Sequence, residues 1–162
     1  MEDIFTLTAR EEIEIAVRLV LAALFGAAVG YERRSSDKPA GLQTLSLVAV
    51  GSALFTIVSA FGFETADQSR VAAQIVTGVG FLGAGTILRS GVTISGLTTA
   101  ATIWATAAIG MAVGSGLYIA SIGGTTLMLA ILYLFAPARN SDQKVGHSPN
   151  SRVQVNMRSP GP

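Results

Sequence analysis

Ile13-Glu14-Ile15-Ala16-Val17-Arg18-Leu19-Val20-Leu21-Ala22-Ala23-Leu24-Phe25-Gly26-Ala27-Ala28-Val29-Gly30-Tyr31 carries two charged residues in nineteen and no proline. Crossing the hydrocarbon core of a bilayer takes ~20 mostly apolar residues in a helix, within a range of roughly 17–25. Residues 13–31 meet that requirement, and four more segments of the same kind follow at 42–63, 71–89, 97–114 and 117–136. Composition agrees. Of 162 residues, 50% are hydrophobic and 13% charged, where soluble domains carry about 25% charge, and mean hydropathy is +0.55. A soluble domain of this size has too little interior to hide so much apolar surface. The sequence therefore predicts an all-α, polytopic membrane protein with five transmembrane helices. A net charge of +1 supplies no basic field for nucleic acid. The absence of cysteine excludes disulfides and thiolate metal sites.

The segments are separated by turn-forming residues at Ser35-Ser36-Asp37-Lys38-Pro39, Gly62 to Ser69, Ser90 to Gly96 and Gly114-Ser115-Gly116. The last break is so short that helices four and five should form a tight antiparallel hairpin. Thr8 and Glu11 have capping-box spacing, so the first helix should begin before residue 13. Met1-Glu2-Asp3-Ile4-Phe5 is acidic, unlike the basic start of a secretory signal, and no removable leader is expected. One side of the membrane would hold Arg33, Arg34, Lys38, Arg89, Arg139, Lys144, Arg152 and Arg158; the other would hold Arg10 and Arg70. Positively charged flanks stay cytoplasmic, which predicts an outside N-terminus and a cytoplasmic C-terminus, as five spans require. A four-span arrangement would put both termini on one side, against that bias. Residues 1–136 are expected to form the transmembrane domain, and the polar segment 137–162 a disordered cytoplasmic tail.

The spans carry stripes. Arg18, Ala22, Gly26 and Gly30 recur every four residues on the first; Thr98, Thr102, Thr106, Gly110 and Gly114 do so on the fourth. On the third, Arg70, Gln74, Thr77, Ala84 and Leu88 fall near one face, with Gly78 and Gly85 at its edge. Small residues let helix backbones approach closely in lipid, and hydroxyls can bond across the contact. Helix packing is the preferred reading for Gly26, Gly30, Gly78, Gly80, Gly83, Gly85 and Gly110. A polar path between helices is the alternative, and only the charged and amide residues argue for it. Ionisable groups inside a span are expensive and so mark candidate sites. Arg18 has Glu14 four residues before it, the favourable order for an ion pair, although it can also snorkel to the surface. Asp67 is placed to cap the third helix, with Arg70 and Gln74 in its first turns. Arg33 and Lys38 fit the positive-inside pattern, whereas Glu32 beside them does not. Arg18, Glu32, Arg33, Lys38, Asp67, Arg70, Gln74, Thr98 and Thr102 are thus the candidate polar sites for an ion or a partner.

Gly78-Val79-Gly80-Phe81-Leu82-Gly83 matches the G-x-G-x-x-G string, but that fingerprint needs a preceding strand and a βαβ unit. His147 is the single histidine, so a transition-metal site is not expected. No catalytic triad, useful carboxylate pair or phosphate loop is legible, and no enzymatic activity or cofactor is expected. Mg²⁺ has no clear ligand set.

Glu32-Arg33, Lys38-Pro39-Ala40-Gly41-Leu42 and Leu47-Val48-Ala49-Val50-Gly51-Ser52-Ala53-Leu54-Phe55-Thr56 resemble blocks of the MgtC/SapB family of bacterial inner-membrane proteins. Ser69-Arg70-Val71-Ala72-Ala73-Gln74-Ile75-Val76, Gly80-Phe81-Leu82-Gly83-Ala84-Gly85, Gly96-Leu97-Thr98-Thr99-Ala100-Ala101-Thr102-Ile103-Trp104 and Ala107-Ala108-Ile109-Gly110 continue the resemblance in the family's order. The resemblance covers residues 14 to 136. It implies a five-helix domain in the bacterial inner membrane, a role in adaptation to low magnesium or to acid and host stress, and action on membrane partners, ATP synthase among them. Family members often read Gly-Leu-Arg-Thr-His where this chain has Gly41-Leu42-Gln43-Thr44-Leu45, and some carry Asn at the position of Thr98. The match is to the membrane domain alone, without the ACT-like domain of virulence-type members.

The expected function is therefore non-enzymatic regulation of membrane partners. The alternative is a small dimeric transporter or channel for Mg²⁺ or another cation. Five short helices offer few interior positions, and their small-residue faces suit a twofold contact, so a homodimer is expected.

Overall fold

A computed structural model describes residues 8–36, 38–62 and 67–135. The tail expected over 137–162 and the acidic N-terminus lie outside the described residues. Five helices are present: α1 (Ala9–Ser35), α2 (Leu42–Phe61), α3 (Gln68–Ala84), α4 (Leu97–Gly114) and α5 (Tyr118–Leu134). A two-stranded hairpin, β1 (Leu88–Ser90) and β2 (Thr93–Ser95), joins α3 to α4.

The capping box forms as the spacing predicts. Thr8 Oγ1 accepts from the Glu11 amide at 3.4 Å, and Glu11 Oε2 accepts from the Thr8 amide at 2.8 Å. Two orphan amides are satisfied in this way, so α1 starts at Ala9 rather than at residue 13. Helices α1, α2 and α4 are long and apolar enough to cross a membrane. α5 is apolar but has 17 residues, about 26 Å at 1.5 Å per residue.

α1, α2 and α4 pack into a central trio held by glycines. A Cβ on Gly26 would lie 2.6 Å from Leu45 O, one on Gly30 2.5 Å from the Leu42 Cα, and one on Gly114 2.7 Å from Ala53 O. One on Gly110 would overlap the Ala49 carbonyl. Around these contacts Ala22, Ala49, Ala53 and Val113 are fully buried. A second cluster around Val29, Leu45 and Ile103 reaches α3 through Ile75 and Val79, and α5 through Met128 and Leu132. The outward surface is apolar as well: Leu24, Leu47, Phe55, Trp104, Ile119 and Leu127 are all exposed. Apolar surface spread over every helix asks for lipid rather than water as solvent.

The third segment departs from expectation. The sequence predicts one span over 71–89, but the helix ends at Ala84, and the turn-forming residues at Ser90 to Gly96 belong to a hairpin whose first strand begins at Leu88. Thr86, Ile87, Val92, Thr93 and Ile94 are β-branched and favour an extended chain. Gly91, with φ +62°, makes the two-residue turn with Val92. Gly96 at φ +88° closes the hairpin so tightly that a Cβ would overlap Thr86 O. The stripe read on α3 also points away from the core. Arg70, Gln74, Thr77 and Ala84 are exposed, as is Leu88 beyond the helix, while Ile75 and Val79 make the packed face.

Gly110→Ala forces a methyl into the α2 backbone and should destabilise the protein by about 1–3 kcal/mol. Gly123→Ala, where a Cβ meets nothing within 4 Å, should be neutral or stabilising by up to about 1 kcal/mol through helix propensity. Thermal unfolding in detergent, followed by circular dichroism, separates the two outcomes.

Candidate functional site

At the end of the molecule that holds the start of α1, Arg18 reaches across to the α4–α5 turn. Its Nη1 donates to Gly114 O at 2.7 Å, and its Nη2 donates to Glu14 Oε1 at 2.5 Å. Gly116, at φ +77°, lies under the guanidinium, where a Cβ would be 3.1 Å from Nη2. Arg18 is therefore a tether between helices rather than a snorkelling side chain. Its Nε is buried without a partner. A polar pocket of about 340 Å³ opens beside it, lined by Arg18, Thr56, Ser59, Ser69, Gly114 and Ser115 among others. Ser59 is 3% exposed and its hydroxyl also lacks a partner. Sequence reasoning missed Ser59. Its signal was the spacing Ser52, Thr56, Ser59 along one face of α2.

Asp67 caps α3 by accepting from the Ser69 amide at 2.9 Å and the Ser69 hydroxyl at 2.6 Å. These two bonds favour the ionised form and hold its carboxyl below the usual value. Arg70 is exposed and does not line the polar pocket. Gln74 instead faces a groove of about 670 Å³ between α2 and α3, shared with Gln43, Gly51, Phe55 and Gly78.

At the opposite end, Glu32 and Arg33 behave unlike topology markers. Arg33 is 4% exposed; its Nη1 lies 3.8 Å from Glu32 Oε2, and its Nε and Nη2 have no partner. Glu32 accepts from Ser36 Oγ at 3.0 Å through Oε1, leaving Oε2 without a hydrogen bond. Lys38 is exposed, its amide bonded to Arg33 O at 3.1 Å. Arg18, Gln74 and the Glu32–Arg33 pair thus occupy three separate places.

The threonine stripe of α4 is satisfied within the helix. Thr102 Oγ1 donates to Thr98 O at 2.7 Å, and Thr106 Oγ1 donates to Thr102 O at 2.8 Å. Thr98 itself is exposed. Back-bonding of this kind uses up the hydroxyl proton, leaving buried side chains that pack as small groups. The predicted packing glycines divide in the same way. Gly26, Gly30 and Gly110 sit at backbone contacts, and Gly83 faces Ala100; a Cβ on Gly85 would meet only its own helix end, and at Gly78 and Gly80 it would meet nothing within 4 Å. Among the described residues no group of three or more His, Asp or Glu is placed to hold a metal.

A glycine-locked helical trio with apolar outer faces, charged groups at its ends and two flanking helices defines a small helical membrane protein. The MgtC family model matches residues 19–141, and the chain belongs to that family. It is 52% identical over 130 residues to the "Putative magnesium transporter YhiD" of Escherichia coli K12, covering 75% of this chain and 60% of that one. Protein MgtC of Brucella abortus is 43% identical over 122 residues (75% and 51% covered), and protein MgtC of Salmonella typhimurium 41% over 135 residues (83% and 57% covered). The chain therefore spans between half and three-fifths of the length of these relatives. No solved structure matches it.

Arg18→Met leaves the Gly114 carbonyl and Glu14 without their donor and should cost about 1.5–3 kcal/mol. Glu14→Gln should cost less than about 1 kcal/mol, because Glu14 is exposed. Denaturant titration of both variants measures the difference. Because the Asp67 carboxyl titrates below its unfolded value, its capping is complete above the ordinary carboxylate range and is lost as pH falls through the lowered value. Protection of the Ser69 amide against hydrogen exchange should fall at low pH in the wild type and stay level in Asp67→Asn, whose amide caps without titrating.

Proposed function

We propose that this protein is a five-span, non-enzymatic regulator in the bacterial inner membrane that acts by binding other membrane proteins during adaptation to low magnesium or to acid and host stress. The observation that carries this reading is how the intramembrane polar groups are used. Arg18 ties α1 to the α4–α5 turn, and Thr102 and Thr106 bond to their own helix, so the central trio is a closed scaffold. What the molecule offers to others is its surface: the α3 face with Arg70, Gln74 and Thr77, and an apolar hairpin tip where Val92 is 98% exposed. Family membership supports the magnesium setting, and ATP synthase is the partner class implied by resemblance. The protein works as a homodimer in this reading, with the N-terminus outside and the C-terminus in the cytoplasm, as the lysine and arginine distribution favours.

Cation transport is the second reading. The name of the Escherichia coli relative favours it, as does the buried Glu32 Oε2, which accepts no hydrogen bond although Arg33 lies 3.8 Å away, since hard cations take carboxylate oxygens.

Three measurements bear on these proposals. Deletion should impair growth in low magnesium, and crosslinking at Gln74 should recover specific membrane proteins; normal growth with no recovered partner overturns the regulatory reading. Purified protein in liposomes should pass no Mg²⁺ under a gradient, whereas flux abolished by Glu32→Gln would establish transport. The chain has no cysteine, so single cysteines report topology directly. Val92→Cys should react with an impermeant reagent only from the cytoplasm and Ser115→Cys only from outside.

A further inference from the structure

The α2–α3 groove and the polar pocket beside Arg18 adjoin end to end: Val71 borders both, and along α2 Phe55 lines the groove and Thr56 the pocket. Along α2 the groove runs from Gln43 to Phe55, about 18 Å at 1.5 Å per residue. That is close to the thickness of one leaflet, about 15 Å. Its walls are mainly Leu47, Phe55, Ile75, Val79 and Leu82, and it is left wide by Gly51 and Gly78, where a Cβ would meet nothing within 4 Å. The pocket at its end holds two groups with unused hydrogen-bonding capacity, the Arg18 Nε–H and the Ser59 hydroxyl, both buried. Leaving such groups unpaired is costly in a low-dielectric site. An apolar slot one leaflet long that ends in two free donors has the shape and chemistry of an amphiphile. Its head must offer acceptor oxygens, and Glu14, already bonded to Arg18, leaves the Nε–H free for them.

We propose that groove and pocket together form a binding site for one glycerophospholipid, whose acyl chain lies against Gly51 and Gly78 while its phosphate oxygens accept from Arg18 Nε and Ser59 Oγ. A second copy of the chain packing a helix into the groove would use Gly51 and Gly78 but would leave the two donors unanswered. The proposal is independent of whether the protein regulates partners or carries ions.

The test is native mass spectrometry of the full chain in mild detergent with added phosphatidylglycerol, and with diacylglycerol as the headless control. Wild type should retain one phosphatidylglycerol and bind diacylglycerol at least tenfold more weakly. Gly78→Leu, whose Cβ meets nothing within 4 Å and whose side chain extends into the groove, should lose the lipid at least tenfold at unchanged helix content by circular dichroism. Ser59→Ala should weaken phosphatidylglycerol several-fold and leave diacylglycerol alone. Equal retention of both lipids, or retention unaffected by Gly78→Leu, would reduce the groove to ordinary annular contact and overturn the proposal. So would a lipid-free wild-type dimer that Gly78→Leu converts to monomer. A photoactivatable phosphatidylglycerol on wild-type protein gives a reading independent of any variant: its crosslinks should fall on α2 and α3, and crosslinks spread over all helices would overturn the site.

Discussion

Direct contact of helix backbones at Gly26, Gly30, Gly110 and Gly114 is the constraint on which the rest of the structure depends. In lipid there is no hydrophobic force pressing helices together, since the tails are as apolar as leucine. Association must come from close packing, and packing is closest where no Cβ intervenes. α2 lies between these glycines: Gly26 and Gly30 of α1 meet its first half, and Gly110 and Gly114 of α4 meet its middle and second half. The contacts fix the spacing of the trio. That spacing brings the Gly114 carbonyl within reach of Arg18 and buries Ser59 beside it. A larger residue at Gly110 would therefore disturb the polar end of the molecule as well as its core.

The polar groups follow from the same constraint. With backbones in contact there is no room between helices for long side chains or water, so the buried hydroxyls of Thr102, Thr106 and Thr125 turn back to carbonyls of their own helices. Arg18 is accommodated because it reaches a place where a helix ends and carbonyls lose their intrahelical partners. Gly114 is the last residue of α4, and its carbonyl is such an acceptor.

Most of this fold is legible in the sequence because the signals are local and repeated. The four-residue spacing of Ala22, Gly26 and Gly30 marks the packed face of α1, and the Thr8–Glu11 and Asp67 caps mark helix starts. The rest is not local. Arg33 and Arg34 look alike as topology markers, yet Arg33 is buried and Arg34 exposed. One residue turns a helix by about 100°, and Arg33 lies four residues after buried Val29 and so on the packed face. The end of α3 at Ala84 was hidden because Ile87 and Leu88 extend an apolar run. Hydropathy sees that run, but the β-branched residues and the close approach of Gly96 to Thr86 decide its conformation. Ser59 was overlooked for a different reason: a lone serine in an apolar helix gains meaning only when Arg18, distant in sequence, is placed beside it.

The glycine-locked trio and the open α2–α3 groove place different demands on the residues that line them. α3 leans on α4 near Gly83 and Ala100 and carries Ile75 and Val79 into the core, but it meets α2 across an open groove. Its two ends are fixed separately, by the Asp67 cap and by the hairpin that Gly96 closes. A change in its tilt would widen or narrow the groove without breaking any glycine contact of the trio. Gln43 and Leu45, at the two positions where the family resemblance leads one to expect Arg and His, do different things. Gln43 lines the groove and changes what it presents, whereas Leu45 is fully buried against Gly26 and belongs to the scaffold. Two neighbouring residues therefore bear on separate properties, the lining of the groove at the first and packing at the second.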